Sequence, residues 1–286
     1  MQNARMQNDF FAVIRAILII AVIALFLPVI GLLHAFGSPL KLKFHAAMCW
    51  LLIKIINIKI MVKGAPAKEM PMLYVSNHCS YLDILVLWHL IKKPFVAKQE
   101  VHEWPVFGWS AKFVDCIFVD RKVSKTGENI EAIKNHFKRG DGLVLFAEGT
   151  TSNGNRVLPF KSSMFTVLEY DFGPGKLFLQ PLSIVYTRLN NIPIGIHQRP
   201  YFAWYGEMSL VPHLWQLLKF YSVTAEVEFY PSIAAAEFKS RKEAADYCYE
   251  KISGSVASAL TGRRVDNSSF VISNSNNESR ITNNKL

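Results

Sequence analysis

The 286-residue chain has little cysteine, and what it has is scattered. Cys49, Cys79, Cys116 and Cys248 form no CxxC pair and show no ligand-like spacing. That argues against a zinc site and a disulfide framework, and it fits a reducing compartment. No other set of residues has metal-ligand spacing, so no metal is expected, and no internal repeat is present. Acidic residues are also few: 22 Asp+Glu stand against 32 Lys+Arg, for a net charge of +10. A basic balance suits nucleic acid, anionic lipid or phosphorylated ligands equally and does not choose among them. Long uncharged runs are absent too, with one N-terminal exception. That exception, joined to the positive charge, favours a membrane surface, and no nucleic-acid partner is expected. What is abundant is apolar: 51% of residues are hydrophobic, high for a soluble enzyme. The length allows one large domain or two small ones, with a sizeable core.

The exceptional run extends from Ala16 to Leu33, 18 residues interrupted only by Pro28 and Gly31. It reaches roughly 27 Å as a helix, just enough to cross a hydrocarbon core. A cleaved signal peptide is the alternative. Its apolar region is usually about 7–15 residues and ends at a small-x-small site, and neither holds here. A retained anchor is therefore expected. Arg5 and Arg15 precede the run, while Lys41, Lys43, Lys54 and Lys59 follow it. Positive charge on both sides weakens a simple crossing and leaves open a helix that dips in and returns. Phe44–Asn57 reads as a second, interfacial helix. Residues 1–57 are thus expected to anchor the chain, whether or not they span.

Beyond them, strands alternate with helices, which predicts an α/β domain over residues 58–261. Strands are expected at Ile58–Gly64, Pro71–Val75, Pro94–Lys98, Cys116–Val119, Leu143–Phe146, Phe178–Tyr186 and Val223–Phe229. The last alternates apolar with polar residues, as a half-exposed strand does. Pro181 suggests an edge position or a bulge for its strand. Helices are expected at 84–90, 104–113, 126–138, 162–170, 214–220 and from Ser240, whose capping box closes at Glu243. The Asn/Ser-rich tail, 262–286, is expected to be disordered.

Three loops that follow strands carry chemistry. The first is Ser76-Asn77-His78-Cys79-Ser80-Tyr81-Leu82-Asp83. Asp83, in the first turn of the next helix, is placed to accept the proton of one imidazole nitrogen and leave the other free as a base. The bland alternative is an ordinary loop histidine beside a capping aspartate, with Ser80 as N-cap. The second loop follows Phe118 and brings Arg121, a bidentate anion clamp. The third is Glu148-Gly149-Thr150-Thr151, whose glycine lets backbone approach a ligand and whose threonines add donors. Lys161 follows as a second cation. Together they suggest a hydroxyl nucleophile activated beside a bound phosphate.

That ordered set resembles the 1-acyl-glycerol-3-phosphate (lysophosphatidate) acyltransferase family of membrane lipid synthesis. Its Asn-His-x4-Asp motif is met by Asn77, His78 and Asp83. Its Gly-x-x-Phe-x-x-Arg motif is met at Phe118 and Arg121, but Asp115 stands at the glycine position. Phe146, Glu148, Gly149 and Thr150 meet the third motif, and Pro181 meets the proline within an apolar strand. Pro159-Phe160-Lys161 matches the segment usual after the third. The resemblance spans about residues 58–190, and the wording of Glu148–Ser163 and Ala203–Gly206 is similar to bacterial members.

The resemblance implies a glycerolipid-acyltransferase-like mixed sheet flanked by helices, behind an N-terminal anchor. It implies that His78 is the base and Asp83 its orienting partner. Asn77, Phe118, Arg121, Glu148, Gly149, Thr150 and Lys161 would bind the acceptor, with Glu148 on a hydroxyl or orienting a cation, and Pro181 would shape the donor side. No cofactor is implied beyond the co-substrate, an acyl thioester of acyl carrier protein or coenzyme A. The implied reaction makes phosphatidate from lysophosphatidate at the cytoplasmic face of the inner membrane. Two rivals stand beside it: an O-acyltransferase for another lyso-lipid such as lyso-ornithine lipid, and a non-catalytic membrane-tethered binding protein.

Overall fold

A computed structural model of the chain describes residues 8–104, 106–119, 126–170, 177–262, 271–274 and 277–279. It opens with two helices, α1 (Asp9–Ala35) and α2 (Leu40–Ile56), packed on each other. Asn8 caps the first by accepting from the Phe10 amide at 2.9 Å. Only 11% of the most apolar stretch of α1 is buried, and Phe10, Ile14, Ile17, Ile20 and Leu25 are exposed.

Yet α1 is not a free tether. Near its start the Arg15 guanidinium donates to the carbonyls of Leu218, Phe220 and Tyr221. Asp9 pairs with Lys219 at 2.7 Å. Near its end Gly31 lies so close to Phe113 that a Cβ there would sit 3.1 Å from the ring. Both ends of the helix therefore rest on the domain.

The chain continues through β1 (Ile58–Lys63), β2 (Met72–Ser76), α3 (Leu82–Ile91), β3 (Val96–Lys98), α4 (Phe107–Phe113) and β4 (Ile117–Val119). Then come α5 (Thr126–Lys138), β5 (Gly142–Phe146), β6 (Phe178–Leu189), β7 (Ile192–Pro193), α6 (Leu210–Leu218), β8 (Val223–Phe229), β9 (Ile233–Ala234) and α7 (Arg241–Leu260). The main sheet has the order β11-β10-β1-β8-β6-β2-β5, where β10 is Val271–Asn274 and β11 Asn277–Ser279. It is mixed: β1–β8, β2–β6 and β2–β5 are parallel, β6–β8 antiparallel. β3 and β4 form a separate parallel pair.

The expected elements are present, with four corrections. The strand holding Pro181 is central, between β2 and β8. Pro181 is tolerated because β6 changes partner there: β9 pairs Phe178 and Leu179, and β8 takes over at Leu182. The irregularity falls later, between Tyr186 and Arg188. β8 is buried at all but one position rather than half-exposed. Its polar side chains face partners, since Thr187 donates to Glu226 at 2.8 Å and Ser255 to Glu228 at 2.7 Å. The helix expected at 162–170 is present as a 3-10 helix, Ser162–Glu169. α6 begins at Leu210, ahead of the expected start. Part of the tail is ordered: β10 adds to the open edge of β1, pairing Met61 with Ile272, because an edge strand leaves unmet backbone groups.

Period-two alternation along β6 divides the interior. Leu182, Ile184 and Tyr186 join the core beneath α1, α2, α3 and α6. Leu179 and Val185 join the other, beneath α5 and α7.

Candidate active site

β2 and β5 are parallel neighbours, and their registers end together at Ser76 and Phe146. Parallel pairing carries the loops that follow them to the same end of the sheet, where Ser152 N–H donates to His78 C=O at 2.8 Å. His78 and Glu148, seventy residues apart in sequence, so become neighbours: the His78 N–H donates to Glu148 Oε1 at 2.7 Å.

The His78 imidazole donates from Nδ1 to Asp83 Oδ2 at 2.8 Å. Asp83 is fully buried. The same oxygen accepts from the Cys79 and Ser80 amides at 2.8 and 2.9 Å, while Oδ1 accepts from the Tyr186 hydroxyl at 2.7 Å. Four donors hold this buried carboxylate in one orientation. Its acceptor-only chemistry requires the proton on Nδ1, so Nε2 carries the lone pair. Nε2 has no hydrogen-bond partner among the described residues. The imidazole lies on Phe146, 3.9 Å between centroids and 13° from parallel, and Phe146 is stacked in turn on Phe95.

The N-cap of α3 is Tyr81 rather than Ser80, and it makes no side-chain capping bond, but the helix-opening contacts and the histidine's partner meet in Asp83. α3 starts at Leu82, and Ser80 Oγ accepts from the Leu82 amide at 3.2 Å. Asp83 reaches back to accept from the Ser80 amide and holds the histidine with the same oxygen.

Glu148 is also buried, and its Oε2 accepts from the Leu158 amide at 2.8 Å. Both oxygens are taken by backbone, and no Arg or Lys side chain reaches it among the described residues. The sequence reading gave it a hydroxyl or a cation to hold; here it stitches together the loops after β2 and β5. Burial pushes its carboxyl up to about 7, with Asp83 adding and the two amide donors opposing. Asn77, expected against the acceptor, has its amide committed to β6. It donates to Ile184 C=O and accepts from Ile184 N–H, each at 2.9 Å.

Gly149 has φ +67° and lies where a Cβ would meet Lys161 Nζ at 3.3 Å, so the ammonium hangs over the glycine. Thr150 is exposed beside it. Pro181 is buried opposite Val75 in β2. Phe118 is half-buried on β4, against the His102 ring at 5.0 Å; Arg121 lies outside the described residues. Cys79 is fully buried, and burial with Asp83 and Glu148 nearby keeps its sulfur a thiol, which is no nucleophile.

Asp115 has φ +61°. That left-handed conformation is free to glycine and among the easier ones for aspartate. Asp115 thus holds a conformation that glycine adopts freely, and its carboxylate meets Lys41 at 2.8 Å. Sequence reasoning missed Tyr186 and the stacking role of Phe146. The only signal for Tyr186 was its place on the same strand face as Leu182 and Ile184.

Residues 59–185 match the family model described as Acyltransferase. The chain is 37% identical to the lyso-ornithine lipid O-acyltransferase of Brucella abortus over 216 residues, covering 74% of this chain and 81% of that one. It is 29% identical to the 1-acyl-sn-glycerol-3-phosphate acyltransferase of Neisseria gonorrhoeae over 197 residues, 68% of this chain and 73% of that one. The crystal structure of the 1-acyl-sn-glycerophosphate acyltransferase of Thermotoga maritima superposes with a TM-score of 0.63 at 19% identity, over 93% of this chain and all of that one, a likeness of fold. The chain belongs to the acyltransferase family that holds the 1-acyl-sn-glycerol-3-phosphate and lyso-ornithine lipid acyltransferases.

Proposed function

We propose that this acyltransferase esterifies the free hydroxyl of lyso-ornithine lipid, using an acyl thioester of acyl carrier protein or coenzyme A. The observation that carries the reaction is the His78–Asp83 contact, with Nδ1 bonded and Nε2 basic. Nε2 takes the hydroxyl proton as the oxygen attacks the thioester carbon. The new C–O bond forms, the C–S bond breaks, and the imidazolium returns its proton to the leaving thiolate. Asp83 holds the tautomer and balances the imidazolium. No acyl-enzyme is needed.

The acceptor rests on the higher identity to the lyso-ornithine lipid relative, 37% against 29%. Lysophosphatidate is the second reading, favoured by the Lys161 ammonium above the positive-φ Gly149, a place where a phosphate would be held. The protein associates with membrane. The exposed apolar residues of α1, with the domain beneath both its ends, favour a helix lying in the plane of the cytoplasmic membrane with the domain on its cytoplasmic side.

The test offers both lyso-lipids and an acyl thioester to membranes containing the chain, with His78→Ala as the blank. Transfer to lyso-ornithine lipid by the unmutated chain alone is expected. Transfer to lysophosphatidate only overturns the acceptor, and transfer surviving His78→Ala overturns the base.

A further inference from the structure

We infer that Tyr186 is a positioning residue of this reaction, fixing the Asp83 carboxylate and through it the His78 ring. The inference rests on the reading of His78 as base. Asp83 Oδ2 gathers three donors, from His78, Cys79 and Ser80, which fix where that oxygen lies. They leave the carboxylate free to swing about it. Among the described residues, Oδ1 has one donor, the Tyr186 hydroxyl at 2.7 Å. That bond sets the plane of the carboxylate, and so the direction from which it receives the Nδ1 proton.

Tyr186 is itself immobile. It is 1% exposed, and its ring packs on Phe202 at 4.9 Å between centroids. Two residues earlier on the same strand, Ile184 is gripped in both directions by Asn77, the residue before the histidine. One strand therefore fixes the loop at Asn77 and the carboxylate at Asp83. Burial and the neighbouring Asp83 hold the phenol far from ionisation, so it remains a donor at any pH where the enzyme works.

A purely structural hydroxyl would affect how much protein folds. A positioning one affects the rate at which folded protein turns over. The test is Tyr186→Phe, which keeps the ring and removes the donor, assayed per folded molecule as counted by gel filtration in detergent. Lyso-ornithine lipid, lysophosphatidate and an acyl-coenzyme A are the probes. A bond to a charged acceptor predicts a fall in kcat of about 10- to 100-fold, with each KM within about twofold. Tyr186→Met, which refills the space without a hydroxyl, serves if the first variant does not fold and is expected to show the same split. An unchanged kcat per folded molecule, or a rise in KM alone, overturns the inference. His78→Ala runs beside them: if it keeps transfer, the reading of the base fails. If it loses transfer while Tyr186→Phe matches the unmutated chain, the positioning role alone fails.

Discussion

The ring of His78 lies on the ring of Phe146, 3.9 Å between centroids and 13° from parallel. Asp83 fixes its direction within that plane by holding Nδ1. The face of a phenyl ring is also electron-rich and attracts the imidazolium that forms during transfer. Phe146→Leu keeps most of the volume, so stability is expected to change by less than about 1.5 kcal/mol. Transfer is expected to fall about tenfold as the imidazole tilts. Steady-state rates with a thermal melt of the same sample decide it, and full activity in the variant sinks the idea.

Asp115 invites a substitution in the opposite direction. Glycine there would relieve a positive φ and lose an exposed ion pair with Lys41. The first effect is worth about 1 kcal/mol and the second about 0–1 kcal/mol, with opposite signs. Asp115→Gly is therefore expected to stay within about 1 kcal/mol of the unmutated chain and to keep its acceptor preference. A change of preference would show that the carboxylate, not the backbone path, is what this position contributes.

Glu148 makes stability depend on pH. Its folded-state value is about 7, above the ordinary 4.5, so the folded chain binds the proton more tightly than the unfolded one. The stability it contributes is present below 4.5 and is lost as pH rises through 7. Melting of the unmutated chain and of Glu148→Gln, compared from about pH 5 to about pH 8, should show the unmutated chain losing ground to the variant as pH rises. A constant difference across that range rules the effect out.

The elements around the site were legible because each is announced locally. A buried strand, a loop with His78, and a helix with Asp83 in its first turn follow one another within twenty residues. Glycine, proline and the third motif's threonines likewise sit beside their strands. What was not legible was pairing at a distance. No local signal tells that Pro181 lies where β9 hands β6 to β8, so its strand read as an edge. Glu226 and Glu228 read as solvent-facing because their partners, Thr187 and Ser255, come from other elements. For the same reason Asn77 and Glu148 read as ligand-binding residues, whereas their polar atoms are met by backbone of β6 and of the neighbouring loops. Tyr186 was silent altogether: in sequence it is one apolar position in an apolar strand.

The two N-terminal helices have a consequence for how the protein is divided. Ala12, Ile30, Met48 and Ile53 belong to the same buried cluster as Leu82 and Tyr186, and Arg15 satisfies the carbonyls at the end of α6. Removing residues 1–57 would therefore not release a water-soluble catalyst from its mooring. It would strip one wall from the buried cluster that holds Tyr186, the residue whose hydroxyl meets Asp83. Lipid-facing part and catalyst are a single folding unit, and the chain is unable to trade one for the other.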